Sequence, residues 1–222
     1  MRSPADQPHP RVPLLRMEPD LTCPGALVRE YRHCHRCSLS ESRNEVLCAS
    51  GVWRADILLI SDLITGSEER EGRILCGETG SMMSRVLAAP GVELEREQLC
   101  ATALVACRGE RGKFPGRAEI GACGHRLRGV ITLVRPRVIV ALGERTGAEL
   151  LRGCGAIPDG GNPSGDGWFE GVPVWISPHP SELLWGEPQE VVRMKRMMYS
   201  RWKAISAYYH ARKGRVAAET AR

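Results

Sequence analysis

Four short, continuous apolar runs constrain the fold of this chain more than any other feature of its sequence. They are ADILLIS at residues 55–61, LCATALVA at 99–106, RVIVAL at 137–142 and VPVWIS at 172–177. Runs of this length, without alternating polar residues, are typical of strands that are buried on both faces of a parallel sheet. Because segments with helical spacing separate them, the pattern predicts an α/β fold: a three-layer α/β/α sandwich around a short central parallel sheet.

The segments between these runs complete the predicted order. We expect helices over residues 21–31, 82–89, 119–134, 144–151 and 187–209, and loops over residues 65–80 and 159–167. The Pro-rich start predicts a flexible arm over residues 1–20, followed by one domain over 21–209 and a basic tail over 210–222. Ligands bind where the strands of such a sheet end, so the loops after Ile60, Ala106 and Ser177 are candidates for a site.

Basic charge is concentrated at the C-terminal end. Residues 193–222 carry nine Lys or Arg and one acid, a net charge of 9 − 1 = +8, whereas the whole chain carries +5. This segment is either the solvated face of a helix or a footprint for nucleic acid or an anionic membrane surface, and charge alone leaves these alternatives open. No stretch reaches the roughly 18 apolar residues of a membrane span, and the first residues lack the apolar core of a signal peptide, so we expect a cytoplasmic protein.

The nine cysteines favour a metal or cluster site over a disulfide framework, because their number is odd and the chain is not a small secreted domain. Cys34 and Cys37 form a C-x2-C pair, Cys107 follows the second apolar run, and Cys123 lies early in a predicted helix. Four thiolates suit either zinc or a [4Fe–4S] cluster, and spacing alone does not choose between them.

Several motifs occur in a recognisable order between residues 34 and 202. They are C-H-R-C-S-L at 34–39 with Arg43 after it, G-R-I-L-C-G at 72–77, Cys107 and Cys123, P-R-V-I-V-A-L-G at 136–143, and H-P-S at 179–181. Together they resemble the iron–sulfur uracil-DNA glycosylases, families 4 and 5 of the uracil-DNA glycosylase superfamily. The resemblance implies that fold, a [4Fe–4S] cluster rather than zinc on these four cysteines, and DNA with a flipped base as substrate.

The first active-site motif departs from both families. It is G-E-A-P-G in family 4 and G-L-A-P-A in family 5, whereas residues 61–65 are S-D-L-I-T, with Asp62 in the place of the family 4 Glu. Leu75 replaces the Phe that stacks on uracil, Ala103 replaces the Asn that reads the pyrimidine edge, and Glu78 matches an acid of family 5. A site without fixed polar readers cannot strongly select uracil, so an altered base preference is expected.

Site roles follow from the resemblance and from the chemistry of breaking an N-glycosidic bond. A carboxylate, Asp62 or Glu78, would orient water or stabilise a sugar cation, and His179 would donate to the base oxygen. The remaining assignments are Leu63, Leu75 and Ala103 for the base pocket, and Arg73, Arg108 and Ser181 for DNA contacts.

Two functions remain open at this point. The first is a DNA glycosylase that removes a uracil-like, damaged or modified base. The second is a homologue that has lost excision, acting as an iron–sulfur DNA-binding accessory protein or as a base-modifying enzyme. Either implies DNA as the partner, no membrane, a nucleoid-associated location and a possible replication or repair protein as a further partner.

Overall fold

A mixed six-stranded sheet forms the centre of the protein. The computed structural model describes residues 23–95, 98–109, 113–152, 165–184 and 187–220, with side chains to residue 213 in the last helix. Within these residues the strands are β1 (Ser50–Gly51), β2 (Ile57–Ser61), β3 (Leu99–Ala103), β4 (Val138–Leu142), β5 (Gly167–Phe169) and β6 (Val172–Ser177). Their order is β1-β3-β2-β4-β6-β5. The four central strands are parallel, and β1 and β5 pair antiparallel at the two edges.

Helices cover both faces of this sheet. They are α1 (Pro24–Tyr31), α2 (Gly66–Glu71), α3 (Gly77–Leu87), α4 (Arg117–Val134), α5 (Glu144–Leu151) and α6 (Pro188–Thr220). Ile57 and Leu59 of β2 pack with α3 and α6 in one apolar core, whereas Leu58 and Ile60 pack with α1, α4 and α5 in a second core. The period-two alternation of a strand sends successive side chains to opposite faces, so both faces of β2 are buried. The three-layer α/β/α prediction is therefore confirmed.

The largest correction concerns the segment after β2, where the loop expected over residues 65–80 contains α2 and the first turn of α3. Thr65 begins α2 with a capping box: its hydroxyl accepts from the backbone N–H of Glu68, and the Glu68 carboxylate accepts from the backbone N–H of Thr65. This T-x-x-E signature of a helix start is present in the sequence, but the glycines and charged residues around it favoured the prediction of a loop.

Other boundaries differ less. The last helix continues to Thr220, past its expected end at Tyr209, and β1 and β5 were not expected. The expected arm over residues 1–20 and most of the loop over 159–167 lie outside the described residues. Within the described part of the chain, no helix has both the length and the hydropathy to cross a membrane.

Candidate active site

A cleft of about 1100 Å³ opens where β2, β4 and β6 end. Asp62 and Leu63 line it after β2, Arg145 after β4, and His179 and Ser181 after β6. Because parallel strands end at one edge of the sheet, these three segments reach a common space. The structure thus brings four of the predicted site residues together: Asp62, Leu63, His179 and Ser181.

The loop that carries Asp62 is paired along its length with the segment that follows β3. The backbone N–H of Val105 donates to the carbonyl of Asp62 (3.3 Å), and that of Gly109 donates to the carbonyl of Ile64 (3.3 Å). A Cβ at Gly109 would lie 2.7 Å from Cδ2 of Leu63, so the Leu63 side chain packs directly on the backbone of this glycine. The pairing fixes the backbone on both sides of the Asp62 carboxylate.

His179 presents a defined hydrogen-bonding face to the cleft. The backbone N–H of Ser181 donates to Nδ1 of His179 (3.2 Å), and the Ser181 hydroxyl lies 2.6 Å from the same nitrogen. A backbone N–H can only donate, so Nδ1 accepts, and we assign the proton of the neutral ring to Nε2. Burial lowers the pKa of His179 from 6.5, and the Asp62 carboxylate acts in the opposite direction. The site therefore favours a neutral imidazole whose proton lies on Nε2.

Packing beneath the cleft holds the His179 segment in place. The backbone N–H of His179 donates to the Glu182 carboxylate (2.8 Å), which caps a single 3-10 turn over Pro180–Leu183. Leu183 is buried in the core on the α6 side of the sheet. Trp202 of α6 is fully buried, and its indole N–H donates to the hydroxyl of Ser177 at the end of β6 (3.0 Å).

Sequence reasoning missed Glu68, a buried carboxylate that joins two loops. One of its oxygens accepts from the backbone N–H and the hydroxyl of Thr65 (2.8 Å each), and the other accepts from the backbone N–H of Leu75 (2.7 Å). Leu75 has a φ of +54°, which is uncommon for a residue with a side chain. A Cβ at Gly80 would lie 2.1 Å from the carbonyl oxygen of Leu75, so α3 packs tightly against this turn.

The structure does not bring the other predicted catalytic and base-pocket residues to the cleft. Glu78 is exposed on the first turn of α3, and Leu75 packs against the core. Ala103 is fully buried, and its carbonyl accepts from the buried guanidinium of Arg126. Of residues 75–79, all of which the structure describes, only Thr79 lines the cleft, and β3 ends inside the protein.

Of the residues predicted to contact DNA, Arg108 lies in a second groove of about 550 Å³, and Arg73 is exposed outside both cavities. This groove shares Leu63 and Phe114 with the cleft. Half of the Arg108 side chain is exposed, and its guanidinium lies 3.9 Å from the buried carboxylate of Glu69. A cationic groove therefore continues from the mouth of the cleft.

Further cleft residues were not found from the sequence, including Phe114, Arg145 and Arg201. Arg201 donates to the carbonyl of Ile176 (2.8 Å) and forms an ion pair with Asp166. Applying the strand-end rule to β4 as well would have found Arg145, since it follows Leu142 closely. Phe114 and Arg201 belong to segments that do not directly follow a strand, so this rule does not identify them.

The four predicted cluster cysteines line one small cavity: Cys34, Cys37, Cys107 and Cys123. Arg36 and Arg43 line it too, and Glu30 forms an ion pair with Arg36 (3.4 Å). Burial raises the pKa of Cys107 to about 12, and the cation of Arg43 opposes this effect. The cations of Arg36 and Arg43 beside the cavity suit a group held by four thiolates.

The donor chemistry of this cavity fits an iron–sulfur cluster. Four cysteine thiolates are the usual ligands of a [4Fe–4S] cluster, and they also suit a structural zinc ion. The residues present therefore fit either group.

Comparisons with known proteins agree with this architecture. A protein of Thermotoga maritima named Type-4 uracil-DNA glycosylase is 29% identical over 165 residues, which are 73% of this chain and 84% of that protein. Proteins of the same name from Pyrobaculum aerophilum (28% identity; 69% of this chain, 80% of that protein) and Saccharolobus solfataricus (30%; 55% and 56%) are also similar. Residues 51–204 match the family model of the uracil DNA glycosylase superfamily, which is more than half of the 222 residues. The chain belongs to the uracil DNA glycosylase superfamily.

Proposed function

We propose that this protein is a DNA glycosylase that binds a flipped base in the cleft and hydrolyses its N-glycosidic bond. The observation that carries the proposal is the placement of Asp62 and His179 on one cleft, where Nδ1 of His179 accepts from the backbone N–H of Ser181. A glycosylase must extrude its target base from the helix into such a space, because the bond it breaks is not accessible in stacked DNA.

The two residues match the two charges that develop as the bond breaks. The sugar becomes an oxocarbenium-like cation, and the departing base gains negative charge on its ring and carbonyl oxygen. Nε2–H of His179 would donate to that oxygen, and it needs no prior protonation because the Ser181 N–H already occupies Nδ1. The Asp62 carboxylate would stabilise the sugar cation and orient water. The water hydroxyl bonds to C1′ and its proton leaves with the base, so the products are an abasic site and a free base.

The base preference is proposed to be broader than for uracil alone. Among the described residues that line the cleft there is no Asn or Gln, the side chains that form paired hydrogen bonds with a base edge. Ala103 does not line the cleft, and the guanidinium of Arg126 occupies its backbone carbonyl. A pocket without such readers discriminates weakly between bases of similar shape, so ease of flipping would contribute to selection.

We further propose that Cys34, Cys37, Cys107 and Cys123 hold a [4Fe–4S] cluster. The cluster would serve as a structural crosslink between the segment after α1, the segment after β3, and α4. Arg43 donates to the carbonyl of Cys34, which orients this segment around the thiolates.

DNA would follow the cationic groove beside the cleft. Arg108 lies there, Ser181 lies at the cleft itself, and the basic face of α6 adds charge without base specificity. Such contacts would place the protein on nucleoid DNA and would weaken as salt concentration rises.

The test is an excision assay on anaerobically purified protein. Single- and double-stranded oligonucleotides carry uracil, hypoxanthine or hydroxymethyluracil, and products are scored by alkali cleavage and by intact mass. We expect abasic product from at least one base, and a fall of about 100-fold or more in rate for Asp62→Asn and His179→Ala. Glu78→Gln is the matched control, because this carboxylate is exposed and does not line the cleft.

Each alternative predicts a different result in this assay. A mass gain without base loss would indicate a base-modifying enzyme and refute the proposal. Binding without any change of mass on the whole panel would favour the accessory function. Full excision by both cleft variants would refute the assignment of Asp62 and His179.

A further inference from the structure

Phe114 and Arg145 form a stacked pair in the wall of the cleft, and the mechanism above does not use it. The guanidinium carbon of Arg145 lies 4.2 Å from the centroid of the Phe114 ring. Both residues line the cleft together with Asp62 and His179. Among the described residues that line the cleft, Phe114 is the only Phe, Tyr or Trp.

Both members of this pair are held by fixed structure. Phe114 packs against the core on the α4 side, and the Glu119 carboxylate accepts from the backbone N–H of Gly116 to begin α4 immediately after it. Arg145 lies in the first turn of α5, behind Gly143, whose φ of +96° favours glycine. The backbone N–H of Gly143 donates to the carbonyl of Ser177 (2.7 Å), so this turn is tied to the end of β6.

We propose that the Phe114–Arg145 pair is the surface on which the flipped base stacks; this inference rests on the proposed function. A base that leaves the helix loses its stacking neighbours, and a binding site regains that energy with aromatic or planar side chains. Leu75 cannot supply this contact because it packs against the core instead of lining the cleft. A guanidinium is planar and stacks on aromatic rings, so the exposed Arg145 covers one face of Phe114 and offers its own plane to a base, with the ring as its support.

Arg145 adds an electrostatic role to this surface. Its positive charge lies on the same cleft as the donor face of His179. As the glycosidic bond breaks, the departing base becomes negative, and a stacked cation stabilises that charge more than it stabilises the neutral base. Lysine at this position would keep the charge and lose the plane, which separates the two contributions.

A flat surface of this kind recognises ring area, not base identity. It contacts any planar base, and the area of contact is larger for a purine than for a pyrimidine. The pair therefore gives affinity for a base as such, in agreement with a cleft that carries no edge-reading amide. Phosphate contacts do not depend on it, so DNA that lacks a base at the target position should bind independently of Phe114.

The experiment compares binding of two oligonucleotide types to the intact, cluster-loaded protein. One type carries 2′-fluoro-deoxyuridine or 2′-fluoro-deoxyinosine, whose glycosidic bonds resist cleavage. The other carries a tetrahydrofuran residue, which has no base. For Phe114→Leu we expect about a tenfold loss of affinity for the base-containing DNA, larger for the purine, and no change for the tetrahydrofuran DNA. Phe114→Tyr, which keeps the aromatic ring, should bind like the unaltered protein.

Arg145→Lys should also lose affinity for the base-containing DNA while it keeps its affinity for the tetrahydrofuran DNA. Equal losses of affinity for both DNA types in Phe114→Leu, or no loss for either, would overturn the inference. Excision by the unaltered protein would still support the proposed function in that case. Absence of excision on the panel above, with no preference for base-containing DNA, would instead overturn the proposed function and this inference with it.

Discussion

Replacing Glu68 should reveal how strongly the first active-site loop depends on one buried carboxylate. Glu68→Ala removes the acceptor for the backbone N–H groups of Thr65 and Leu75, which its two oxygens bind at 2.8 and 2.7 Å. Each of these part-buried donors costs about 1–2 kcal/mol when it is left without a partner. The two together predict a loss of about 2–4 kcal/mol in the free energy of unfolding, or a fall of about 5–15 °C in Tm for a chain of this size.

Urea unfolding followed by circular dichroism measures this loss. Glu78→Ala is the matched control, because Glu78 lies in the first turn of α3 but is exposed, and it should cost less than about 1 kcal/mol. Glu68→Gln should be intermediate, since its amide keeps one acceptor oxygen and turns an N–H₂ toward the other donor. A loss for Glu68→Ala no larger than that for Glu78→Ala would refute the reasoning.

Three further perturbations test the site and its supports. The pKa of His179 should be below 6.5, since burial lowers it more than Asp62 raises it. An NMR titration should find this pKa lower still in Asp62→Asn, which loses the opposing carboxylate. A value above 6.5 in the unaltered protein would contradict the neutral ring. Trp202→Phe removes the buried donor to the end of β6, so urea unfolding should show a loss of about 1–2 kcal/mol, and an unchanged midpoint would contradict that role. Cys107→Ser should lose iron and the visible absorption of the cluster, whereas the control Cys100→Ser, a buried residue of β3 outside the cavity, should keep both.

The strands were predictable because burial on both faces leaves a direct mark on the sequence. Residues 57–60 and 138–142 are apolar throughout, and both lie fully inside the sandwich. The edge strands β1 and β5 were missed because segments of two and three residues are too short to show any periodicity. Such short strands form because they pair with a neighbouring strand, and their own residue types contribute little.

The candidate site was predictable only where a side chain directly follows a strand. Asp62 and His179 lie within two residues of the ends of β2 and β6, so the sheet determines where they lie. Glu78 and Leu75 are separated from β2 by a helix and a turn with positive φ, and similarity to a motif could not indicate where that turn would direct them. Phe114 and Arg145 meet from segments before α4 and at the start of α5, a contact that depends on the packed fold alone.

The changed first motif is compatible with a catalytic loop because backbone atoms hold that loop. The backbone N–H groups of Leu104, Val105 and Gly109 donate to the carbonyls of Ser61, Asp62 and Ile64. None of these bonds requires the glycine or the proline of the family motif, so their loss does not release the loop. The same segment after β3 carries Cys107, so a cluster that fixes this cysteine would also fix the strand-like partner of the Asp62 loop. The position of the Asp62 carboxylate therefore depends on the segment that carries Cys107 and not on the side chains of the first motif. This arrangement would allow the residues of the motif to change while Asp62 keeps its place.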